Sequence, residues 1–179
     1  MKTINKGTLI LFALALMATP IKADAKTTYR WTTQKVKLSQ DLKVKHNTKV
    51  KLIKSGKKYS LVEYKGEKYS VRKKYLCKWR SPKLYTKKYF KRRGRIRWRG
   101  WSWTWYTQRQ LPGKGLKIPG RHLDKQGFVC DKDGYIVLAS SIGYKKVRKI
   151  LPTPFGKYGK VYDTNGTWNY GWRDVYTNW

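Results

Sequence analysis

Negative charge is what this sequence has least of: 9 Asp and Glu stand against 43 Lys and Arg, a formal net charge of +34 over 179 residues. A neutral cytosolic enzyme does not have that balance, and the excess calls for an anionic partner. Histidine is limited to His46 and His122, and cysteine to Cys77 and Cys130. A disulfide scaffold is excluded, and a His/Cys metal site would need nearly every such side chain in the chain. No metal and no cofactor is therefore expected. The two cysteines either close one bridge across a loop of about 50 residues or remain free thiols. No apolar run reaches the ~20 residues that span a bilayer, so no transmembrane segment is expected. The length also leaves no comfortable room for a (β/α) barrel or a doubly wound fold.

Apolar residues make up 40% of the chain and aromatics 15%, with 9 Trp and 14 Tyr. That separates it from a disordered basic tail, which is poor in aromatics. A core can be buried here.

The N-terminus reads as an address. Lys2 and Lys6 precede the apolar stretch Thr8 to Met17, and Ala23-Asp24-Ala25 offers small residues at the positions a signal peptidase reads. The stretch is about half the length of a membrane anchor, and Pro20 and Lys22 follow it. Residues 1–25 are expected to be a cleaved signal peptide, which makes the protein secreted, extracellular or wall-associated. Cleavage removes Lys2, Lys6, Lys22 and Asp24 only, so the positive excess belongs to the exported chain.

Residues 28–76 alternate apolar and polar side chains in short runs, as in Val36-Lys37-Leu38, Val50 to Ile53, Tyr59 to Tyr64 and Tyr69-Ser70-Val71. Turn residues such as Ser55-Gly56 and Lys65-Gly66 separate them, which predicts a small antiparallel barrel over 26–76. Residues 77–99 are expected to connect this unit to the next. From Lys87 to Arg99 eight of thirteen residues are Lys or Arg. Lys91, Arg92, Arg93, Arg95, Arg97 and Arg99 then form either a solvated linker or a polyanion-binding patch. Nucleic acid is the usual partner of such a composition, but export argues against it and favours anionic wall polymers such as teichoic acid, or lipid headgroups.

Trp101, Trp103 and Trp105 recur with period two, so they share one face of a strand, with Ser102, Thr104 and Tyr106 on the other. They are either barrel core or the stacking wall of a glycan groove. Gly113, Gly115 and Gly120 lack the spacing of a dinucleotide loop and read as turn glycines. The remaining runs, 127–130, 135–139, 145–147 and 160–162, are short strands, with Asp133-Gly134 a hairpin turn. Residues 100–179 are expected to be a second β-barrel, which makes the chain all-β.

Two resemblances sharpen this. Val62, Tyr64, Gly66, Val71, Tyr75 and Leu76 follow the rhythm of the second half of a bacterial SH3 domain, which implies an SH3-like barrel that recognises wall peptides or adheres to the wall. Two positions depart: Tyr59 stands for the usual tryptophan and Tyr69-Ser70 for the Gly-Tyr before Val71. Asp163, Gly166, Asp174, Val175 and Tyr176 match the C-terminal motif of the 3D domain, a six-stranded double-psi β-barrel of lytic transglycosylases and wall proteins. The rare lipoprotein A and expansin barrels are more distantly similar. The order of strands agrees from Trp105 to Trp179. Asn165 replaces one glycine, Arg173 an apolar residue, and the first of the family's three aspartates is missing at 139–141, where Asp131 and Asp133 are the nearest substitutes.

The second resemblance implies peptidoglycan as partner, Asp174 as acid/base with Asp163 as its orienting neighbour, and Tyr176 beside the tryptophans in glycan binding. Hydrolysis of a glycosidic bond needs two carboxylates about 5 to 9.5 Å apart. A lytic transglycosylase needs one, because the sugar's own 6-hydroxyl replaces water. Two function classes stay open: a wall-bound glycan-cleaving enzyme, and a non-catalytic wall-binding or wall-loosening protein. Arg173, next to Asp174, is expected to oppose the acid role.

Overall fold

A computed structural model describes residues 27–107, 117–141, 148–164 and 171–179. The expected signal peptide, the turn glycines Gly113 and Gly115, the expected strand at 145–147, and Asn165 and Gly166 lie outside the described residues. Among those described, the fold is all-β with one short α-helix.

The first unit holds β1 (Thr28–Thr32), β2 (Val36–Lys37), β3 (Lys43–Val44), β4 (Lys49–Ser55), β5 (Tyr59–Tyr64), β6 (Glu67–Arg72), a 3-10 turn at Lys73–Tyr75, and β7 (Leu76–Cys77). β4, β5 and β6 run as a meander, and the five-stranded sheet has the order β6-β5-β4-β1-β7, with β2 and β3 paired separately. The alternation read in the sequence sends Val36, Val44, Val50, Val62 and Val71 inward as one core. Tyr64 pairs with Glu67, leaving a two-residue loop in which Lys65 has φ 54° and Gly66 φ 85°. Both values are positive, as the tightest hairpin turn requires.

The second unit holds α1 (Lys87–Arg93), β8 (Arg95–Trp98), β9 (Trp101–Thr107), β10 (His122–Leu123), β11 (Val129–Cys130), β12 (Ile136–Ser140), β13 (Ile150–Pro152), β14 (Tyr158–Asp163) and β15 (Trp172–Thr177). Its main path is β10-β11-β12-β15-β9-β8, with β14 parallel to β12 and antiparallel to β13. β14 lies close against β12 because of Gly159, where a Cβ would fall 2.7 Å from Leu138 Cγ. Among the described residues neither large sheet closes on itself, so both units are open sheets rather than the closed barrels expected.

The sheet of the second unit is covered on both faces. One face buries Trp103, Ile136, Leu138, Val161 and Val175 with Phe90 of α1. The other buries Val129, Val137, Ala139 and Tyr176. The stretch 77–99 is not a linker, because its residues are structured parts of both units. Cys77 ends β7 in the first sheet, while β8 pairs with β9. Between them α1 is capped by the Thr86 side chain, which accepts from Tyr89 N–H, and ends at Gly94 with φ 68°. Its last turn holds Lys91, Arg92 and Arg93, where the carbonyl end of a helix favours cations.

Buried polar bonds knit the units. The Asn47 side chain donates to the carbonyls of Ser81 (2.8 Å) and Gly156 (3.1 Å) and accepts from Ser81 N–H (3.0 Å). Thr33 and Tyr135 share a hydrogen bond of 2.8 Å. Cys77 and Cys130 are free thiols.

Candidate functional site

The two aspartates singled out by the motif come together through the strand register. Ala139 of β12 is the cross-strand partner of Asp163 on β14 and of Asp174 on β15. Two strand spacings separate Asp163 from Asp174, about 10 Å between their backbones. A register shift between Leu138 and Ala139 marks a bulge in the β12–β14 pairing. Tyr162 and Asp163 together oppose Ala139, and the bulge turns Asp163 to the face that also holds Asp174 and Tyr176. Between the two carboxylates the chain has the methyl group of Ala139.

Each aspartate is held by named donors. Tyr176 O–H donates to Asp163 Oδ2 at 2.7 Å, and Thr164 N–H to Asp163 Oδ1 at 2.7 Å. Thr104, the register partner of Asp174 on β9, donates its hydroxyl to Asp174 Oδ1. Burial, with Asp163 and Asp174 nearby, pushes the Tyr176 phenol well above its ordinary range, so it stays a donor.

Tyr176 is therefore a positioning group rather than a glycan-stacking surface: it is 3% exposed, and a buried phenol needs an acceptor. The tryptophan strand also faces inward. Trp103 is fully buried, so no sugar can reach it, and Trp101 and Trp105 pack half-buried against the same core. The aromatic placed beside the aspartates is Tyr106, 38% exposed and edge-on to Tyr176 with ring centres 6.0 Å apart. Period two had put Thr104 and Tyr106 opposite the tryptophans, but only the register of β9 against β15 shows that this face meets Asp174.

Asp131 and Asp133, the acidic residues nearest to 139–141 in the sequence, are held by contacts of their own. Asp131 is fully buried and accepts from Asp133 N–H, Tyr135 N–H, Lys160 Nζ and Tyr162 O–H, which makes it a structural hub. Asp133 lies in the hairpin turn, 3.6 Å from Lys160. Asp124 is likewise structural, accepting from Gln126 and Phe128 N–H and from Lys157 at 2.7 Å.

Arg173 does not oppose Asp174 in the expected way. Neighbours on a strand point to opposite faces, and the Arg173 guanidinium lies over the Trp101 ring at 4.0 Å, on the tryptophan face. The basic patch, by contrast, is a surface: Lys91, Arg92, Arg93, Arg95, Arg97 and Arg99 are all exposed. None of them forms an ion pair with a described residue.

Comparison with family models, with curated proteins and with solved structures finds no match to this chain.

Proposed function

We propose that this is an exported, wall-associated protein that attaches to peptidoglycan and anionic wall polymers and cleaves glycan strands at Asp174 without water. The reading rests on one observation above others. Asp163 and Asp174 flank Ala139 at one level of the sheet, on one face, with Tyr176 and Thr104 fixing their carboxyl groups.

In this mechanism the Asp174 carboxyl gives its proton to the leaving glycosidic oxygen as the C1–O bond breaks. The sugar's 6-hydroxyl attacks C1, and its proton passes to the Asp174 carboxylate, which restores the acid and leaves a 1,6-anhydro product. Asp163 orients the site through Tyr176, and Tyr106 offers an aromatic face to a sugar ring. Peptidoglycan incubated with the wild type should release 1,6-anhydro muropeptides, and Asp174→Asn should lower that release at least a hundredfold. Equal release by both proteins, or none from the wild type, removes the enzymatic reading.

Attachment is supported by the exposed cations of α1 and β8, which form no ion pair with a described residue, and by the architecture of the first unit. There a meander, a 3-10 turn and a last strand pairing back onto β1 are the features that support an SH3-like reading. The parallel pairing of β12 with β14 and of β15 with β9 is the feature that supports a double-psi-like reading of the second unit. A second reading, attachment without catalysis, is favoured by Ala139 in place of the third carboxylate.

A further inference from the structure

Between the two units lies a cleft of about 680 Å³ that meets the basic patch of the wall-binding reading only at Arg99. The end of β7, the β8–β9 turn, β13 and β15 line it. Its described lining contains four cations, Lys78, Arg99, Lys149 and Arg173, and no acidic side chain.

Arg173 is the unusual member. It is 6% exposed, it forms no ion pair with a described residue, and its Nε is buried without a hydrogen-bond partner. A buried guanidinium in that state is costly unless something anionic meets it. Burial pulls its pKa down to about 10, which leaves it charged at neutral pH. Its Cζ lies over aromatic rings, 4.0 Å from the centre of Trp101 and 5.1 Å from that of Trp103. Arg99 is held in the same manner, 4.2 Å over Trp79 and 5.3 Å from Trp98. Trp79 is in turn fixed by its carbonyl, which accepts from Tyr158 O–H at 2.9 Å. A guanidinium held over an indole by cation–π attraction has no acceptor there, so its N–H donors remain available for an oxyanion.

Arg99 also holds a strained backbone. Trp98 pairs with Trp101, so Arg99 and Gly100 form a two-residue turn with φ of 53° and 74°. Asn or Gly is the usual residue at the first position, so the strain there is offset in this chain by the contacts that the Arg99 guanidinium makes with Trp79 and Trp98.

We propose that this cleft binds a phosphate ester. The guanidinium edges of Arg99 and Arg173 take the phosphoryl oxygens, Lys78 and Lys149 add charge at the rim, and Ile150, Leu151 and Pro152 meet the carbon part of the ester. Tetrahedral oxygens match the arginine forks, and four cations suit a phosphoryl group better than a single carboxylate. The site is separate from the aspartate pair, because Arg173 and Asp174 point to opposite faces of β15.

Titration of the full chain with glycerol 3-phosphate, followed by calorimetry and tryptophan fluorescence, tests this. Saturable binding is expected, with no response to glycerol. Arg99→Gln and Arg173→Lys should each weaken binding about tenfold, since each loses a charge-assisted fork. Lys54→Gln, an equal loss of charge to Arg99→Gln but on β4, should bind as the wild type does. If Arg173→Lys fails to fold, Arg99→Gln in its exposed turn still decides the matter. No binding by the wild type, or equal weakening by Arg99→Gln and Lys54→Gln, overturns the proposal. Two sources share this chemistry. Displacement by poly(glycerol phosphate) but not by phosphatidylglycerol vesicles assigns the ligand to a wall polymer, the reverse assigns it to a lipid headgroup, and displacement by neither overturns the site. Through Arg99 the site rests in part on the wall-attachment reading, and the two fail distinguishably: loss of glycerol 3-phosphate binding with retention on sacculi intact removes this site alone, and loss of retention with glycerol 3-phosphate binding intact removes wall attachment alone.

Discussion

At the scale of single residues, the scarce carboxylates are committed to the fold. Asp124, Asp131 and Asp163 accept backbone N–H bonds, Glu63 pairs with Lys51, and Glu67 accepts from Tyr69. Asp131 is the extreme case. Asp131→Ala leaves Lys160, Tyr162 and two N–H groups without their acceptor, and should cost about 3 to 5 kcal/mol in urea unfolding. A loss under 1 kcal/mol contradicts the structural role. The sequence identified Asp163 and Asp174 because a motif holds them. It could not show that Ala139 stands between them, since that depends on a register shift with no local signature. Nor could it show that Tyr176 points at Asp163 rather than at a ligand.

Individual elements were legible where local chemistry decides them. Period-two alternation and the Lys65-Gly66 and Asp133-Gly134 dipeptides located β4, β5, β6 and β12 to within a residue or two, because turn conformation and face burial act on neighbours. α1 was hidden by its composition: KKYFKRR reads as a charge run, although Thr86 and Gly94 are a helix cap and stop at the right separation. The tryptophan strand was ambiguous because β9 has partners on both edges, and alternation alone does not say which of its faces meets the core. Its two-residue turn offers a paired prediction. Lys65→Asn and Arg99→Asn each relieve a non-glycine residue of positive φ, and each should raise stability by up to about 1 kcal/mol in thermal unfolding. Only Arg99→Asn should also weaken binding of glycerol 3-phosphate. Destabilisation by both would show that the turns are not the conformations described.

Across the whole molecule, burial sets an alkaline limit. It raises the phenols of Tyr135, Tyr158 and Tyr176 above their usual value near 10, and moves the Cys130 thiol from 9 to about 12. Folding then keeps protons that the unfolded chain releases. The stability this contributes is complete below pH 9 and is lost as pH rises through the folded values. Urea midpoints should be level from pH 7 to 9 and fall by pH 10, before lysine discharge, centred near 10.4, relieves self-repulsion. A midpoint unchanged to pH 10 contradicts the burial of these groups.

The same scale explains the charge from which the sequence reading began. With 43 Lys and Arg against 9 Asp and Glu, the surface is cationic over both units, and α1 and β8 carry a dense run of exposed cations. Sedimentation of the protein with purified wall sacculi over a range of salt concentrations tests attachment most directly. Retention should fall steeply with salt, and should fall again when the anionic polymers are stripped from the sacculi or when Lys91, Arg92, Arg93, Arg95 and Arg97 are changed to Gln. Retention that ignores salt and these changes, or no retention at all, contradicts the account.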